Sequence, residues 1–147
     1  MKRILVSACL LGTGCRYDGK NQDNEAILQL LHREDLRLIP VCPEQLGGLP
    51  TPRVPSERRG ERVVNRDGDD VTAQFQKGAL EALRMAERFG CRCAILKERS
   101  PSCGSGRIYD GTFTGTLTDG SGVTAELLKQ NGITVVGESQ LISLLDE

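Results

Sequence analysis

Short apolar runs recur along the chain and are separated by longer amphipathic stretches. Four runs rich in Ile, Leu and Val stand out, and none alternates strictly between apolar and polar positions. Strands buried on both faces have this pattern, so each run predicts a strand of a parallel sheet. The predicted strands are 3–8, 37–41, 92–97 and 133–136.

Helical periodicity lies between these runs and is clearest over residues 70–89. Apolar positions recur there at steps of three or four from Val71 to Ala86. Asp70 can cap the start of this helix, and Gly90 can end it. The other predicted helices are 24–33, 124–130 and 139–145.

The alternation of strands and helices predicts an α/β domain built from parallel βαβ units with helices on both faces. We expect a parallel sheet of about four strands in the order 2-1-3-4, and a single domain spanning residues 1–147. Two insertions, 45–69 and 104–122, interrupt the rhythm, and long insertions in compact domains are usually functional. Within the second, the sequence at 109–112 predicts the turn of a small hairpin.

Composition narrows the class of protein. The formal net charge is −1 and aromatic residues make up 3% of the chain, which disfavours a nucleic-acid-binding module. Residues 1–11 fit a first strand better than a signal sequence, and no apolar stretch approaches the roughly 20 residues of a membrane helix. We therefore expect a cytoplasmic protein that does not enter a membrane. No pattern specifies an oligomeric state.

Three of the six cysteines follow predicted strands. Cys9 follows the first strand, Cys42 the second and Cys103 the third. The carboxyl ends of parallel strands meet at one edge of a sheet, where ligands bind. These three thiols should therefore lie close together, although one cysteine after a strand is more often a small buried apolar residue.

Thiolates at one edge predict a metal or cluster site. Clustered cysteines in a chain without an export signal favour metal binding or catalysis over disulfides, and thiolates select zinc, copper(I) or iron–sulfur. Structural zinc usually takes four ligands in CxxC pairs, which are missing here. A [4Fe–4S] cluster on three thiolates leaves one iron open. Cys15 remains an alternative third ligand or a packing residue, whereas Cys91 and Cys93 fall at the opposite end of the sheet.

Polar residues near the three cysteines supply candidate chemistry. Glu44 can move protons and Ser100 can orient a reactant; alternatively, Glu44 only complements a helix start and Ser100 only caps a turn. Lys97 and Ser102 are candidate substrate-binding groups. Arg53, in an arginine-rich insertion, can hold a phosphate unless that insertion is simply a solvated loop.

Several separated motifs resemble, in order, those of the thiouracil desulfurase (TudS) family. The resemblance covers nearly the whole chain, from residue 1 to about residue 138. The motifs are SACLLG at 7–12, CRYDG at 15–19, PVCPE at 40–44, GGL at 47–49, DVT at 70–72, KERSPSCG at 97–104 and IYDG at 108–111.

The resemblance implies a Rossmann-like α/β domain with an oxygen-sensitive [4Fe–4S] cluster held by Cys9, Cys42 and Cys103. It implies hydrolytic, non-redox conversion of 2-thiouracil and 4-thiouridine monophosphate to the oxo pyrimidine, with release of sulfide. Glu44 and Ser100 would be the catalytic groups. The partner would be a small thiolated pyrimidine or nucleotide.

Two other functions stay open at the level of sequence. The first is a non-catalytic iron–sulfur or zinc sensor, which would hold metal without releasing sulfide from a thiopyrimidine. The second is a metal-free thiolate enzyme that carries sulfur as a persulfide, which would keep its activity in air after chelation.

Overall fold

A computed structural model describes residues 2–12 and 25–140 of the chain. The strands in those ranges are β1 Lys2–Ser7, β2 Leu36–Val41, β3 Ser56–Arg59, β4 Arg62–Asn65, β5 Cys93–Leu96, β6 Arg107–Tyr109, β7 Leu117–Asp119 and β8 Thr134–Gly137. The α-helices are α1 Glu25–Leu30, α2 Pro43–Leu46, α3 Thr72–Phe89 and α4 Val123–Gln130. Two short 3₁₀ segments, Ala8–Leu11 and Glu138–Gln140, follow β1 and β8.

The central sheet has four parallel strands in the order β2-β1-β5-β8, which confirms the predicted order 2-1-3-4. Its register aligns the carboxyl ends of the strands. Ser7 at the end of β1 pairs with Val41 at the end of β2, and Leu96 at the end of β5 pairs with Gly137 at the end of β8. All four chain segments therefore leave the sheet at one edge.

Apolar residues fill both faces of this sheet, because successive strand side chains point to opposite sides. Ile4 and Val6 of β1 pack on the face covered by α1, whereas Leu5 packs on the face covered by α3 and α4. The prediction of helices on both faces is confirmed. The helical residues that complete the two cores are Ile27 and Leu30 on the first face, and Leu83, Ala86, Ala125 and Leu128 on the second.

The long helix α3 begins two residues later than predicted, with Val71 as its N-cap residue and Asp70 just before it. The Asp70 carboxylate accepts a hydrogen bond from the Thr72 N–H at 2.9 Å. Hydrogen bonds from Thr72, and then from Arg62, lower the pKa of Asp70 to about 2. Gly90 ends the helix with φ of 70°, as the sequence predicted. None of the helices in the described ranges combines the length and apolar character that a membrane span requires.

Both predicted insertions contain antiparallel hairpins. β6 and β7 form the hairpin predicted in the second insertion, but its turn spans 110–116 and is longer than the predicted turn at 109–112. The first insertion contains a hairpin that the sequence did not predict, formed by β3 and β4. Of the predicted helix at 139–145, residues 139 and 140 lie in the second 3₁₀ segment and the others fall outside the described residues.

Candidate active site

A cleft of about 560 Å³ opens at the carboxyl edge of the sheet, and Cys9, Cys42 and Cys103 all line it. Cys9 lies in the 3₁₀ segment after β1, and Cys42 is the residue between β2 and α2. Cys103 lies in the loop after β5. Three cysteines that are distant in sequence therefore share one cavity because their strands end in register.

Soft donor atoms are concentrated in this cleft, and they fit a cluster better than one ion. Within residues 2–12 and 25–140, no three Cys, His, Asp or Glu side chains are arranged to hold a single metal ion. A cluster is wider than one ion, because each thiolate binds a different iron, so its cysteines surround a space rather than meet at a point. Three thiols around a cavity match that requirement.

Cys103 is the most deeply buried of the three cleft cysteines. Burial raises the pKa of its thiol to about 12, and the nearby Glu44 carboxylate and Cys42 thiol add to the increase, against hydrogen bonds to Ser7 and Ser102. The metal-free thiol is therefore neutral at physiological pH. Binding of metal has to displace its proton, as it does for any thiolate ligand.

Ser100 shapes the loop that carries Cys103. Its hydroxyl oxygen accepts the N–H groups of Ser102 at 3.1 Å and of Cys103 at 3.0 Å, and its carbonyl accepts the Gly104 N–H at 2.9 Å. Both lone pairs of the hydroxyl are thereby used, while Ser100 still lines the cleft. Its O–H hydrogen is the group left to donate to a reactant.

Ser102 lies behind Cys103 and is not on the cleft wall. It is 1% exposed, and its hydroxyl is 3.0 Å from the Thr124 hydroxyl at the start of α4. The Cys103 thiol is 3.9 Å from the Ser102 oxygen. The Ser102 carbonyl also accepts the Thr124 N–H at 2.9 Å, so this residue fastens the cysteine loop to α4.

Glu44 reaches the cleft from the first turn of α2, where Pro43 starts the helix. One carboxylate oxygen lies 3.3 Å from a guanidinium nitrogen of Arg53, whose side chain is 5% exposed. Arg53 also donates to the Pro50 carbonyl at 2.9 Å and to the Thr51 hydroxyl at 3.0 Å. Arg53 is thus outside the cleft lining, and it orients Glu44 from behind.

Lys97 lines the cleft at the end of β5. Its backbone N–H donates to the Ser7 hydroxyl at 2.8 Å, and its ammonium group lies 3.1 Å from the Glu138 carboxylate after β8. Glu138 also accepts the Glu98 N–H at 2.9 Å. Glu138 therefore fixes Lys97, and the signal available for this contact was a charged residue at a strand end.

A model of the 2-thiouracil desulfurase family matches residues 4–140 of this chain. The chain belongs to that family. An uncharacterized protein of Bacillus subtilis (strain 168), YbbK, is 44% identical over 97% of this chain and 99% of its own length. A solved structure of a [4Fe–4S]-dependent thiouracil desulfidase, TudS, is 51% identical, covers 99% of this chain and 96% of its own, and superposes with a TM-score of 0.93.

The two hairpins and their flanking residues form one wall of the cleft in this desulfurase-family chain. The arginine-rich first insertion does not act as one solvated loop, because four of its five arginines bind protein groups: Arg53, as described above, and three others. Arg58 donates to the Ser121 carbonyl and to Glu126, Arg59 to the Gly111 carbonyl, and Arg62 to Asp70. The residues that the hairpins and their flanks contribute to the lining are Pro55, Ser56, Glu57, Arg66, Tyr109, Phe113 and Gly115.

Arg66 and Arg99 are the cleft-lining arginines of this family member, and sequence reasoning did not single them out. Both are exposed, and neither guanidinium has a hydrogen bond or ion pair with another described residue. Arg66 was only one of several arginines in the first insertion. Arg99 follows the predicted third strand by two residues, and that position at a strand end was the signal available for it.

The remaining cysteines of the desulfurase-family chain are accounted for as far as the structure describes them. Cys91 and Cys93 are buried in the core at or next to the amino end of β5, away from the cleft. Burial, with a smaller contribution from Cys93, raises the pKa of the Cys91 thiol. Cys15, the alternative third ligand, lies outside the described residues.

Proposed function

We propose that this chain is an iron–sulfur enzyme that replaces the sulfur of a thiolated pyrimidine by oxygen and releases sulfide. The observation that carries the proposal is the meeting of Cys9, Cys42 and Cys103 in one cleft beside Glu44. Membership of the 2-thiouracil desulfurase family supports it. So does the close structural likeness to a protein described as a [4Fe–4S]-dependent thiouracil desulfidase.

The residues that would hold a [4Fe–4S] cluster are Cys9, Cys42 and Cys103. Cys15 is the alternative to Cys42 as the third ligand. Once bound, the cluster would supply an iron without a protein ligand, whose Lewis acidity makes a thiocarbonyl carbon more electrophilic. The net reaction adds one water and releases hydrogen sulfide, so no external oxidant, reductant or nicotinamide is required.

Glu44 is the general base in this proposal. Water attacks the thiocarbonyl carbon, and the Glu44 carboxylate takes its proton. The ion pair with Arg53 supports this role, because it holds the carboxylate in one orientation at the cleft wall. Ser100 donates its hydroxyl hydrogen to a polar group of the pyrimidine, since its lone pairs are used by the Ser102 and Cys103 N–H groups.

A nucleotide substrate such as 4-thiouridine monophosphate would need a partner for its phosphate. We assign that role to Arg66 and Arg99, because both guanidinium groups line the cleft without an ion pair to another described residue. Arg53, the arginine that the sequence suggested, is committed to Glu44. Lys97 is shared with Glu138 and would contact the substrate only as a partly neutralised group.

The phosphate assignment is tested by comparing a nucleotide with a free base. Replacing Arg66 and Arg99 by alanine should raise KM for 4-thiouridine monophosphate by about tenfold or more and leave KM for 2-thiouracil nearly unchanged. Arg92→Ala is a matched control, because Arg92 is exposed at the opposite end of β5. Equal effects on both substrates would contradict the assignment.

The proposed activity is tested by anaerobic purification, an ultraviolet–visible spectrum, and counts of iron and acid-labile sulfide, followed by sulfide release from 2-thiouracil. Each of the variants Cys9→Ser, Cys42→Ser and Cys103→Ser should lower both the cluster absorbance and the activity. Cys93→Ala is the control, because Cys93 is buried at the other edge of the sheet. Bound metal without sulfide release would favour a sensor, and activity in air after chelation would favour a persulfide enzyme.

A further inference from the structure

The turn between β6 and β7, residues 110–116, carries a phenylalanine in a backbone conformation that such residues avoid. Phe113 has φ of 59°, in the left-handed region. A residue with a large side chain is rarely found there, because its Cβ approaches the following carbonyl oxygen. Strained conformations of this kind persist only where surrounding contacts impose them, and they concentrate at functional sites.

A buried carboxylate imposes the conformation of this turn. Glu57 of β3 is 8% exposed, and one of its oxygens accepts the N–H groups of Gly111 at 2.9 Å and of Phe113 at 3.1 Å. Arg59 of the same strand donates to the Gly111 carbonyl at 2.7 Å. A Cβ at Gly111 would lie 2.4 Å from the Arg59 side chain, so the turn and the first hairpin are in close contact.

Hydrogen bonds within the turn add to this support. The Asp110 carboxylate accepts both the backbone N–H and the hydroxyl of Thr112. The hydroxyl of Thr114 pairs with those of Thr112 at 2.6 Å and Thr116 at 2.9 Å. The turn is thus held from below by Glu57 and along its length by its own side chains, with Phe113 at its centre.

The half-buried side chain of Phe113 lines the cleft that the three cysteines share, and so does Tyr109. Aromatic side chains are scarce in this chain, so their location is informative. Of the four in the described ranges, Phe75 is in the core, Phe89 is exposed, and the other two line the cleft. An aromatic ring can stack on any planar base, because every base has a π-face.

We propose that Phe113 determines specificity for planar rings by packing its own ring against the face of the pyrimidine, and that Glu57 is the positioning residue that holds it there. This inference rests on the proposed function, because it assumes that the cleft binds a thiopyrimidine. Although Glu57 also lines the cleft, its role in this inference is to hold the turn through the backbone N–H groups of Gly111 and Phe113.

The experiment compares 2-thiouracil with 5,6-dihydro-2-thiouracil, which keeps the thiocarbonyl group but lacks an aromatic face. Dissociation constants are measured anaerobically by calorimetry, alongside sulfide release and the cluster spectrum. Phe113→Leu should weaken binding of 2-thiouracil about five- to 100-fold and change binding of the dihydro compound less than about twofold. Phe113→Tyr should retain the wild-type preference, because it keeps the ring.

The role of Glu57 is tested by asking whether any side chain with an acceptor oxygen at this position preserves the preference for the planar ring. Glu57→Gln keeps an oxygen that can accept both N–H groups and should retain the preference for the planar ring, whereas Glu57→Leu should lose it. Phe113→Met is a second variant without a ring, in case Phe113→Leu folds poorly. Retention of the wild-type preference in the folded Leu or Met variant would overturn the inference.

Failure of the proposed function and failure of the proposed role of Phe113 give different results. A wild-type protein that carries its cluster but neither binds nor desulfurates any thiopyrimidine refutes the proposed function, and the inference falls with it. A wild-type protein that prefers 2-thiouracil, together with a Phe113→Leu variant that prefers it equally, refutes only the role of Phe113.

Discussion

At the scale of single residues, side chains that line the cleft are distinct from the side chains behind them that hold them in place. Glu44 and Ser100 line the cleft, whereas Arg53 and Ser102 lie behind them and bind protein atoms. This division follows from the chemistry of each side chain. A carboxylate near the surface of a cavity needs a cation to fix it, and a buried hydroxyl needs a hydrogen-bond partner.

We expect Glu44→Gln to lower turnover of 2-thiouracil by about 10²- to 10⁴-fold, because the amide cannot accept the proton of the attacking water. The substitution preserves shape, so cluster absorbance and iron content should stay at the wild-type level. The measurement is anaerobic sulfide release at saturating substrate, with Glu61→Gln, at an exposed carboxylate on the first hairpin, as the control. A Glu44→Gln protein with an intact cluster and full turnover would exclude proton transfer by this residue.

For some candidate residues the location in the fold could be predicted from the sequence, and for others it could not. Cys9, Cys42 and Cys103 could be grouped from the sequence, because the register of a parallel sheet follows from its apolar runs and brings strand ends together. The partners of Arg53 and Ser102 could not, because they depend on which way a loop side chain points. The importance of Phe113 depends on a positive φ that no local pattern encodes.

At the scale of elements, the crossing of α2 and α3 positions both Cys42 and Glu44. The two helices meet at a pair of glycines. A Cβ on Gly47 would lie 2.0 Å from the Gln74 carbonyl oxygen, and one on Gly78 would lie 1.8 Å from the Pro43 carbonyl oxygen. Only backbone without side chains can approach this closely, so α2 is fixed against α3 at the residue that follows Cys42.

Gly78→Ala should therefore displace α2 and impair the site. Alanine in a helix interior normally stabilises by roughly 1 kcal/mol relative to glycine, but the contact with Pro43 should reverse the sign to a destabilisation of about 1–3 kcal/mol. Urea unfolding gives the free energy, and iron content with sulfide release reports on the site. Lys77→Ala, at the adjacent exposed position of α3, is the control. A more stable Gly78→Ala protein with a full cluster would show that the crossing is looser.

The elements themselves were largely predictable, but α2, β3 and β4 were not, and the formation of β3 has a physical cause. The four sheet strands are apolar enough to be recognised alone, and the long helix has a clear period, a cap and a terminating glycine. β3 has the sequence SERR, without an apolar face. It forms because β4 pairs with it, because Glu57 and Arg59 bind the turn of the second hairpin, and because Arg58 binds Glu126 of α4. Such tertiary contacts override local propensity.

At the scale of the whole molecule, the architecture has two parts. One is the sheet, which is packed on both faces, and the other is the pair of hairpins, which lie against the cleft at the carboxyl ends of the strands. The core clusters lie along the sheet, and the cleft lies where the strands end. The cysteines of the cleft extend those cores: Cys9 belongs to one of them and Cys103 to the other. Within the described residues, these two cysteines therefore contribute both to the packed cores and to the cleft, whereas most of the apolar core residues do not line the cleft.

This division predicts that removal of the cluster abolishes activity without unfolding the chain. Small structural zinc domains unfold without metal because they lack a sufficient core, whereas both faces of this sheet are packed by strands and helices alone. Apo-protein prepared by oxidation and chelation should keep its far-ultraviolet circular dichroism and unfold cooperatively in urea. Anaerobic reconstitution with iron and sulfide should then restore the visible spectrum, restore activity and raise the midpoint of unfolding, because ligands stabilise the state that binds them. Loss of helical signal on removal of the cluster, regained only on reconstitution, would instead show that the cluster is part of the folding core.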